Sequence, residues 1–169
     1  HFVIGLVLMY STRYWESPVM AVISLAQVAL SSMLLGVYVF GYKVGSSPFI
    51  LLREAMQAPI FANPNYLEFI TDGNGLNPLL QNPWMVIHPP VLFLGFASVI
   101  VPFAFAIAGL VKGEYKNWMT PALPWALFAV MILGTGIMMG AAWAYESLNF
   151  GGYWAWDPVE NASLIPWLT

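Results

Sequence analysis

The sequence predicts an all-α fold, a polytopic integral membrane helical bundle with three complete spans and partial spans at both ends. Hydrophobic residues fill 60% of the 169 positions and charged residues only 8%, against roughly one quarter charged in soluble domains, and mean hydropathy is +0.73. Residues 18–42, 87–111 and 121–145 contain no Lys, Arg, Asp or Glu, and each run reaches the roughly 20 residues that a helix needs to cross the hydrocarbon core. No basic stretch leads into a short apolar run with a small-residue cleavage site, so none of these is read as a signal peptide.

In chain order, residues 2–10 read as the end of an earlier span and 159–169 as the start of a later one, so the sequence is expected to be a piece of a longer chain. The expected organisation has three parts. Residues 1–42 are membrane helices joined by a short cytoplasmic loop, and 43–86 are an outer segment. Residues 87–169 hold two spans, a tryptophan-rich outer loop at 143–157 and the start of the next span. The short loops 11–17 and 112–120 carry Arg13, Lys112 and Lys116, whereas the longer 43–86 and 146–157 carry only Lys43 and Arg53. Basic residues concentrate in short cytoplasmic loops, which puts His88 and the tryptophan-rich loop together on the outer face. The outer segment, with "NPNYLEF" and "DGNGLNPLLQNP", reads as turns around short interfacial pieces. One such piece is an amphipathic helix over "SSPFILLREAM", capped by Ser47 ahead of Pro48. Gly136 and Gly140 form a small-xxx-small pair that lets a neighbouring helix approach closely.

Composition also excludes chemistry. With no cysteine, the chain has no thiol redox pair, no thiolate nucleophile and no covalent haem attachment site of its own. An ion-translocating subunit normally places Lys, Glu or Asp inside its spans, and the three runs hold none. No nucleic-acid partner is expected.

His88 is the one interior histidine, in "VIHPPVLFLGF". The two prolines behind it are expected to hold it out of the α region and to open a helix just after it. Two readings stand open: an interfacial histidine that caps a helix, or a metal or haem ligand, since neutral imidazole is a common axial donor to haem iron. In "DPVEN", Asp157 reads as a helix N-cap, with proline in the first turn and Glu160 completing a capping box. Trp15, Trp84, Trp118 and Trp125 fit an ordinary interfacial belt. The cluster Trp143, Tyr145, Phe150, Tyr153, Trp154 and Trp156 is denser than a belt requires. If "YWAWD" is extended, Trp154 and Trp156 share one face and offer a flat apolar surface. Gly151 and Gly152 would then let the backbone turn tightly beside a ligand. A packed interfacial loop and a porphyrin platform both satisfy these residues.

"GGYWAWDPVENASLIPWL" resembles the tryptophan-rich signature of the haem-handling proteins of cytochrome c maturation, and "LNPLLQNPWMVIHPPVLFLGF" followed by "WDPVENAS" resembles the CcmF family, the haem lyase component. The likeness runs from about Leu76 to Thr169, and its two blocks stand in the family's order. It implies an all-helical protein of the bacterial inner membrane, or of the mitochondrial one, whose outer-face segment cradles haem b between external histidines. His88 matches one axial ligand to the haem iron. Trp154, Trp156 and Asp157 match the core of the signature, and Phe150 and Tyr153 depart from it, since that family usually has Trp there. A Tyr at the latter position also resembles the CcsA family. The implied activity is presentation of haem for covalent attachment to apocytochrome c. Its expected partners are a haem carrier protein and the thiol-reducing and apocytochrome-presenting subunits. No residue reads as a catalytic acid or base for the thioether step. The alternatives are a CcsA- or CcmC-like haem exporter or synthetase and, in another class, a structural or ion-translocating membrane subunit. Tyr153, Gly151, Gly152 and Trp143 complete the expected haem-contacting set.

Overall fold

Among the described residues, two helices are long and apolar enough to cross a membrane. In the computed structural model, which describes residues 1–169 apart from Thr12, Ile70, Thr71 and Asn74, these are α4 (Pro83–Lys112) and α5 (Met119–Ser147). At 1.5 Å per residue each runs about 45 Å, more than the roughly 30 Å of a hydrocarbon core. Only 33% of the apolar window of α4 and 22% of that of α5 is buried. Their remaining apolar surface faces outward, as it does in helices that meet lipid or further membrane helices. The other helices are α1 (Phe2–Ser11), α2 (Glu16–Ser32), α3 (Leu52–Ala55) and α6 (Pro158–Leu168), joined by a hairpin of β1 (Val37–Val39) and β2 (Tyr42–Val44) and three short 3₁₀ turns. The class is all-α and the protein is an integral membrane protein.

The first of the three expected spans is corrected. Helix occupies only Glu16–Ser32 of that region, and the uncharged run continues into the hairpin. "VYVFGYKV" alternates β-branched and aromatic side chains, which suit a pleated strand. Val39 pairs with Tyr42 across the two-residue loop Phe40–Gly41, and both loop residues have positive φ, 49° and 84°. That is the geometry of the primed turns that match strand twist. Hydropathy alone does not separate such a stretch from a span.

The described residues pack as two units, His1–Leu25 with Pro78–Thr169, and Ala26–Asn77. The second unit overlaps the expected outer segment. It holds the hairpin, α3 and two of the 3₁₀ turns, and Ser46 N–H donates to the Met33 carbonyl at 2.9 Å. The amphipathic helix expected over 46–56 shortens to α3, whose N-cap is Leu51 without a side-chain bond. Ser47 Oγ instead accepts from Phe49 N–H at 3.3 Å, because Pro48 and the extended backbone behind it form a local turn. The turn-rich reading of 70–77 falls partly on Ile70, Thr71 and Asn74, outside the described residues.

In the first unit the core gathers Leu8, Trp15, Val19, Val101, Phe105 and Ala108 from α1, α2 and α4 and the loop between α1 and α2. Above it the loops before α2 and after α4 are tied together. Lys112 Nζ donates to the Tyr14 carbonyl and sits 3.5 Å from the centre of the Tyr14 ring, while the Tyr14 hydroxyl donates to Glu114. That bond, and a second from Asn117, hold the Glu114 carboxyl below the usual carboxylate range, whereas the Tyr14 phenol is pushed up, chiefly by the same bond. The short loops carrying Arg13, Lys112 and Lys116 therefore lie at one end of the unit, which agrees with their expected common side.

Helices α4 and α5 approach so closely that glycine is needed at their contact. A Cβ on Gly95 would lie 2.6 Å from Leu133 Cα, and one on Gly136 would lie 2.7 Å from Leu92 Cα. The small-xxx-small pair thus packs α5 onto α4. Within the two helices, Ser98 and Thr135 bond back to the carbonyls of Leu94 and Met131, so neither hydroxyl is left unpaired in an apolar setting.

Candidate functional site

The start of α4 lies earlier than expected. Asn82 is its N-cap, accepting from Trp84 N–H at 2.8 Å, and Pro83 occupies the first turn, where a missing N–H costs nothing. His88 consequently stands inside the helix, in its second turn, and not at its entrance. Pro89 and Pro90 remove the N–H groups that would bond the Met85 and Val86 carbonyls. The cap one turn earlier outweighs the preference of Pro89 for an extended residue before it.

The His88 ring is held against α5. Its Nδ1 lies 2.8 Å from the Gly136 carbonyl oxygen. A carbonyl only accepts, so Nδ1 carries the proton and the neutral ring keeps its lone pair on Nε2. Gly140, one turn further along α5, is the other contact: a Cβ there would fall 2.6 Å from His88 Cε1. The half-buried imidazole is thus oriented by a backbone carbonyl, an arrangement common for metal-bound histidine. No group of three or more His, Cys, Asp or Glu that could hold a metal ion occurs among the described residues. A metal ion at His88 therefore draws fewer than three such donors from the described residues and has to bring other ligands with it.

Beside the ring lies a cavity of about 130 Å³, lined by His88, Trp143, Trp154, Asp157, Glu160, Ser163 and neighbouring apolar residues. This is well below the roughly 300–1,000 Å³ of pockets that enclose drug-sized ligands, so it admits the edge of a large ligand and not its whole. The two indoles in its wall differ. Trp143 Nε1 donates to the Leu79 carbonyl at 3.0 Å, whereas Trp154 Nε1 is buried without a hydrogen-bond partner. A buried unpaired N–H costs about 1–3 kcal/mol, a cost that a ligand with an acceptor atom would remove. Next to the cavity Glu146 accepts from Asn82 Nδ2 at 3.0 Å and from Trp84 Nε1 at 3.1 Å, clamping the end of α5 to the start of α4. Trp84 is therefore part of this clamp and more than a belt residue. Neither Glu146 nor the clamp was legible in the sequence, because its partners lie more than sixty positions away.

The tryptophan-rich turn differs from an extended platform. Gly151 and Gly152 both have positive φ, 79° and 58°, and a Cβ on Gly151 would meet Ala155 Cβ at 2.7 Å, so the backbone folds back on itself there. Trp156 also has positive φ, 58°, which turns its side chain away from the alternation of a strand. Trp154 and Trp156 meet edge to face, with ring centres 5.8 Å apart and planes at 85°, and form no common flat surface. Trp154 faces the cavity; Trp156, Tyr153, Gly151 and Gly152 stand outside its lining. Tyr153 stacks on Tyr145 at 4.1 Å with planes 1° apart. Asp157 caps α6 as expected: its Oδ1 accepts from Glu160 N–H at 2.7 Å, and Glu160 Oε2 accepts from the N–H groups of Ala155 and Asp157.

Fold and site together define a helical integral membrane protein that presents one fixed imidazole beside a tryptophan-rich turn. The profile of the cytochrome c assembly protein family matches residues 2–169, and the chain belongs to that family. It is similar to the cytochrome c-type biogenesis protein CcmF of Pseudomonas aeruginosa, 52% identical over 57% of this chain and 15% of that protein. For CcmF of Escherichia coli the figures are 50% identity, 59% and 16%. The similarity to the cytochrome c-type biogenesis protein NrfE of Haemophilus influenzae is 39%, over 83% of this chain and 21% of that protein. The chain thus spans less than a quarter of the length of these relatives. No solved structure matches it.

Proposed function

We propose that this chain is the haem-handling part of a cytochrome c maturation protein of the bacterial inner membrane. In this reading it binds haem b on the periplasmic side and presents it for attachment to apocytochrome c. The observation that carries the reading is the His88 Nδ1 bond to the Gly136 carbonyl, which leaves Nε2 bare beside Trp143 and Trp154. A porphyrin suits that donor set, because it supplies four ligands of its own and asks the protein for an axial imidazole. Bound haem contributes an iron centre and the vinyl groups that form thioethers. The chain's residues contribute orientation. If haem binds here, His88 would hold it through Nε2, the small cavity beside the ring would receive part of it, and the Trp154 and Trp156 indoles would supply apolar contact. Asp157 acts through the α6 cap, which holds the turn. The apocytochrome brings the thiols, consistent with a chain without cysteine, and the haem carrier and apocytochrome-presenting subunits approach from the outer face.

The test is the absorption spectrum of the purified protein. His88→Ala is expected to reduce the haem band to background per mole of folded protein and to abolish cytochrome c assembly. An unchanged band with undiminished assembly would refute the ligand role.

A further inference from the structure

We infer that Gly140, together with the carbonyl of Gly136, is a positioning element for His88, an inference that rests on the haem reading above for its functional consequence. The two glycines stand one helical turn apart on α5 and meet the same ring at different atoms. The Gly136 carbonyl lies 2.8 Å from Nδ1. Rotating the imidazole by half a turn about its bond to Cβ would place a ring carbon opposite that oxygen, and carbon gives no comparable bond. The carbonyl therefore selects both one ring orientation and one tautomer. The selected orientation lays the ring against Gly140, where a Cβ would come within 2.6 Å of Cε1 and 3.1 Å of each nitrogen. A rigid aromatic ring held against α5 by its bond to Gly136 cannot give way as the end of a flexible chain can. With alanine at 140 the ring has to leave the place where Nδ1 meets its acceptor, and Nε2 loses its aim.

Helix packing alone does not account for Gly140. Gly95 lies at the same α4–α5 contact, where a Cβ would meet Leu133 Cα, also at 2.6 Å. Its neighbours are backbone and an aliphatic side chain, so packing requires a glycine there without involving His88. Gly140 faces the imidazole and nothing nearer. The small-xxx-small motif thus serves two purposes: Gly136 brings the backbones together, and the turn between Gly136 and Gly140 forms the seat of the histidine. Metal-binding imidazoles are held in this way by the partner of their second nitrogen, and here that partner is main chain, which no side-chain substitution removes directly.

The experiment uses the purified, haem-free protein labelled with ¹⁵N-histidine, with the His88 signals assigned by difference from His88→Gln. The wild type is expected to show a protonated Nδ1 and a bare Nε2. Gly140→Ala is expected to show a mixture of tautomers and at least tenfold weaker haem binding, while Gly5→Ala, whose Cβ would meet only the flexible end of Met20 at 3.3 Å, keeps the wild-type tautomer and the wild-type affinity per folded protein. A wild-type ring protonated on Nε2 overturns the inference, and this measurement decides alone if Gly140→Ala does not accumulate. Wild-type tautomer and affinity in Gly140→Ala, with the haem band lost in His88→Ala, also overturn it and leave the haem reading standing. If His88→Ala keeps its haem band, the haem reading falls, and the tautomer result still decides whether the glycines seat the ring.

Discussion

Removing the Glu160 carboxylate isolates the cap that holds residues 154–157 in their turn. Its Oε2 accepts from Ala155 N–H at 2.8 Å and from Asp157 N–H at 3.3 Å. In Glu160→Ala both donors turn to water, while the return bond from Glu160 N–H to Asp157 Oδ1 survives. A hydrogen bond to a charged acceptor contributes about 1.5–3 kcal/mol, but these groups lie at an exposed surface, and 3.3 Å is beyond the common range for N–H···O. One good bond and one weak one, both discounted for water, come to about 1–2 kcal/mol. Hydrogen exchange at the Ala155 and Asp157 amides measures this directly. Where reclosing outpaces exchange, a loss of that size accelerates both amides about 5- to 30-fold. Amides in the middle of α4, such as that of Val101, are expected to keep their rates. Glu160→Gln retains an acceptor oxygen and is expected to lose less than Glu160→Ala. Unchanged exchange at Ala155 and Asp157 in Glu160→Ala would refute the stabilising role of the capping box.

Two further predictions concern the other ends of the structure. The Glu114 carboxyl is lowered from 4.5 and the Tyr14 phenol raised from 10.0, each chiefly by their mutual hydrogen bond. The lowered carboxyl stabilises the fold above 4.5 and loses that contribution as pH falls through its folded value. The raised phenol stabilises it below 10.0 and loses that contribution as pH rises through its own. Thermal unfolding of Tyr14→Phe against wild type is therefore expected to show a difference that is constant near neutral pH and shrinks at both extremes; a difference that grows on acidification would contradict the contact. At the hairpin tip, Phe40 holds a φ of 49°, which costs a side-chain-bearing residue about 1–2 kcal/mol. Phe40→Asn, creating the Asn-Gly pair that favours this turn, is expected to slow exchange of the strand amides several-fold, and faster exchange would count against strain at the tip.

Which features were legible in the sequence follows from how far apart their partners lie. The α6 cap was legible because Asp157, Pro158 and Glu160 act over a single turn, and the two long spans because their uncharged runs lack the β-branched and aromatic alternation around a tight turn that ends the first run. The same local rule applied to Asn82–Pro83 marks the true start of α4, but Pro89 and Pro90 pointed to a later one. Hydropathy extended the first span to Tyr42, although β-branched and aromatic alternation around Phe40–Gly41 signalled a hairpin. The shared face of Trp154 and Trp156 assumed an extended backbone, and the left-handed φ of Trp156 is not encoded in any pattern that favours tryptophan. The contacts of His88 were not legible at all. They join residues 48 and 52 positions away, so they depend on the register of α4 against α5, which is set by close approach at Gly95 and Gly136.

Tyr153 shows how that register reaches the tryptophan-rich turn. The resemblance implies an indole at this position, yet the phenol stacks face to face on Tyr145, a residue of the last turn of α5. Tyr145 adjoins Glu146, whose carboxylate grips Asn82 and Trp84 at the start of α4. The turn is therefore fastened on one side to α6 by the capping box and on the other to the end of α5, and α5 is fastened in turn to α4, which carries His88. A binding constellation needs such support from rigid elements, because a displacement of about 0.5 Å is enough to spoil it. An indole at 153 would be bulkier than the phenol, and a ring of different shape on Tyr145 would shift the turn that aims Trp154 at the cavity. Tyr153 is thus coupled to the site through Tyr145 and lies outside the cavity lining, so its departure from the family pattern changes the support of Trp154 and leaves the seat of His88 intact.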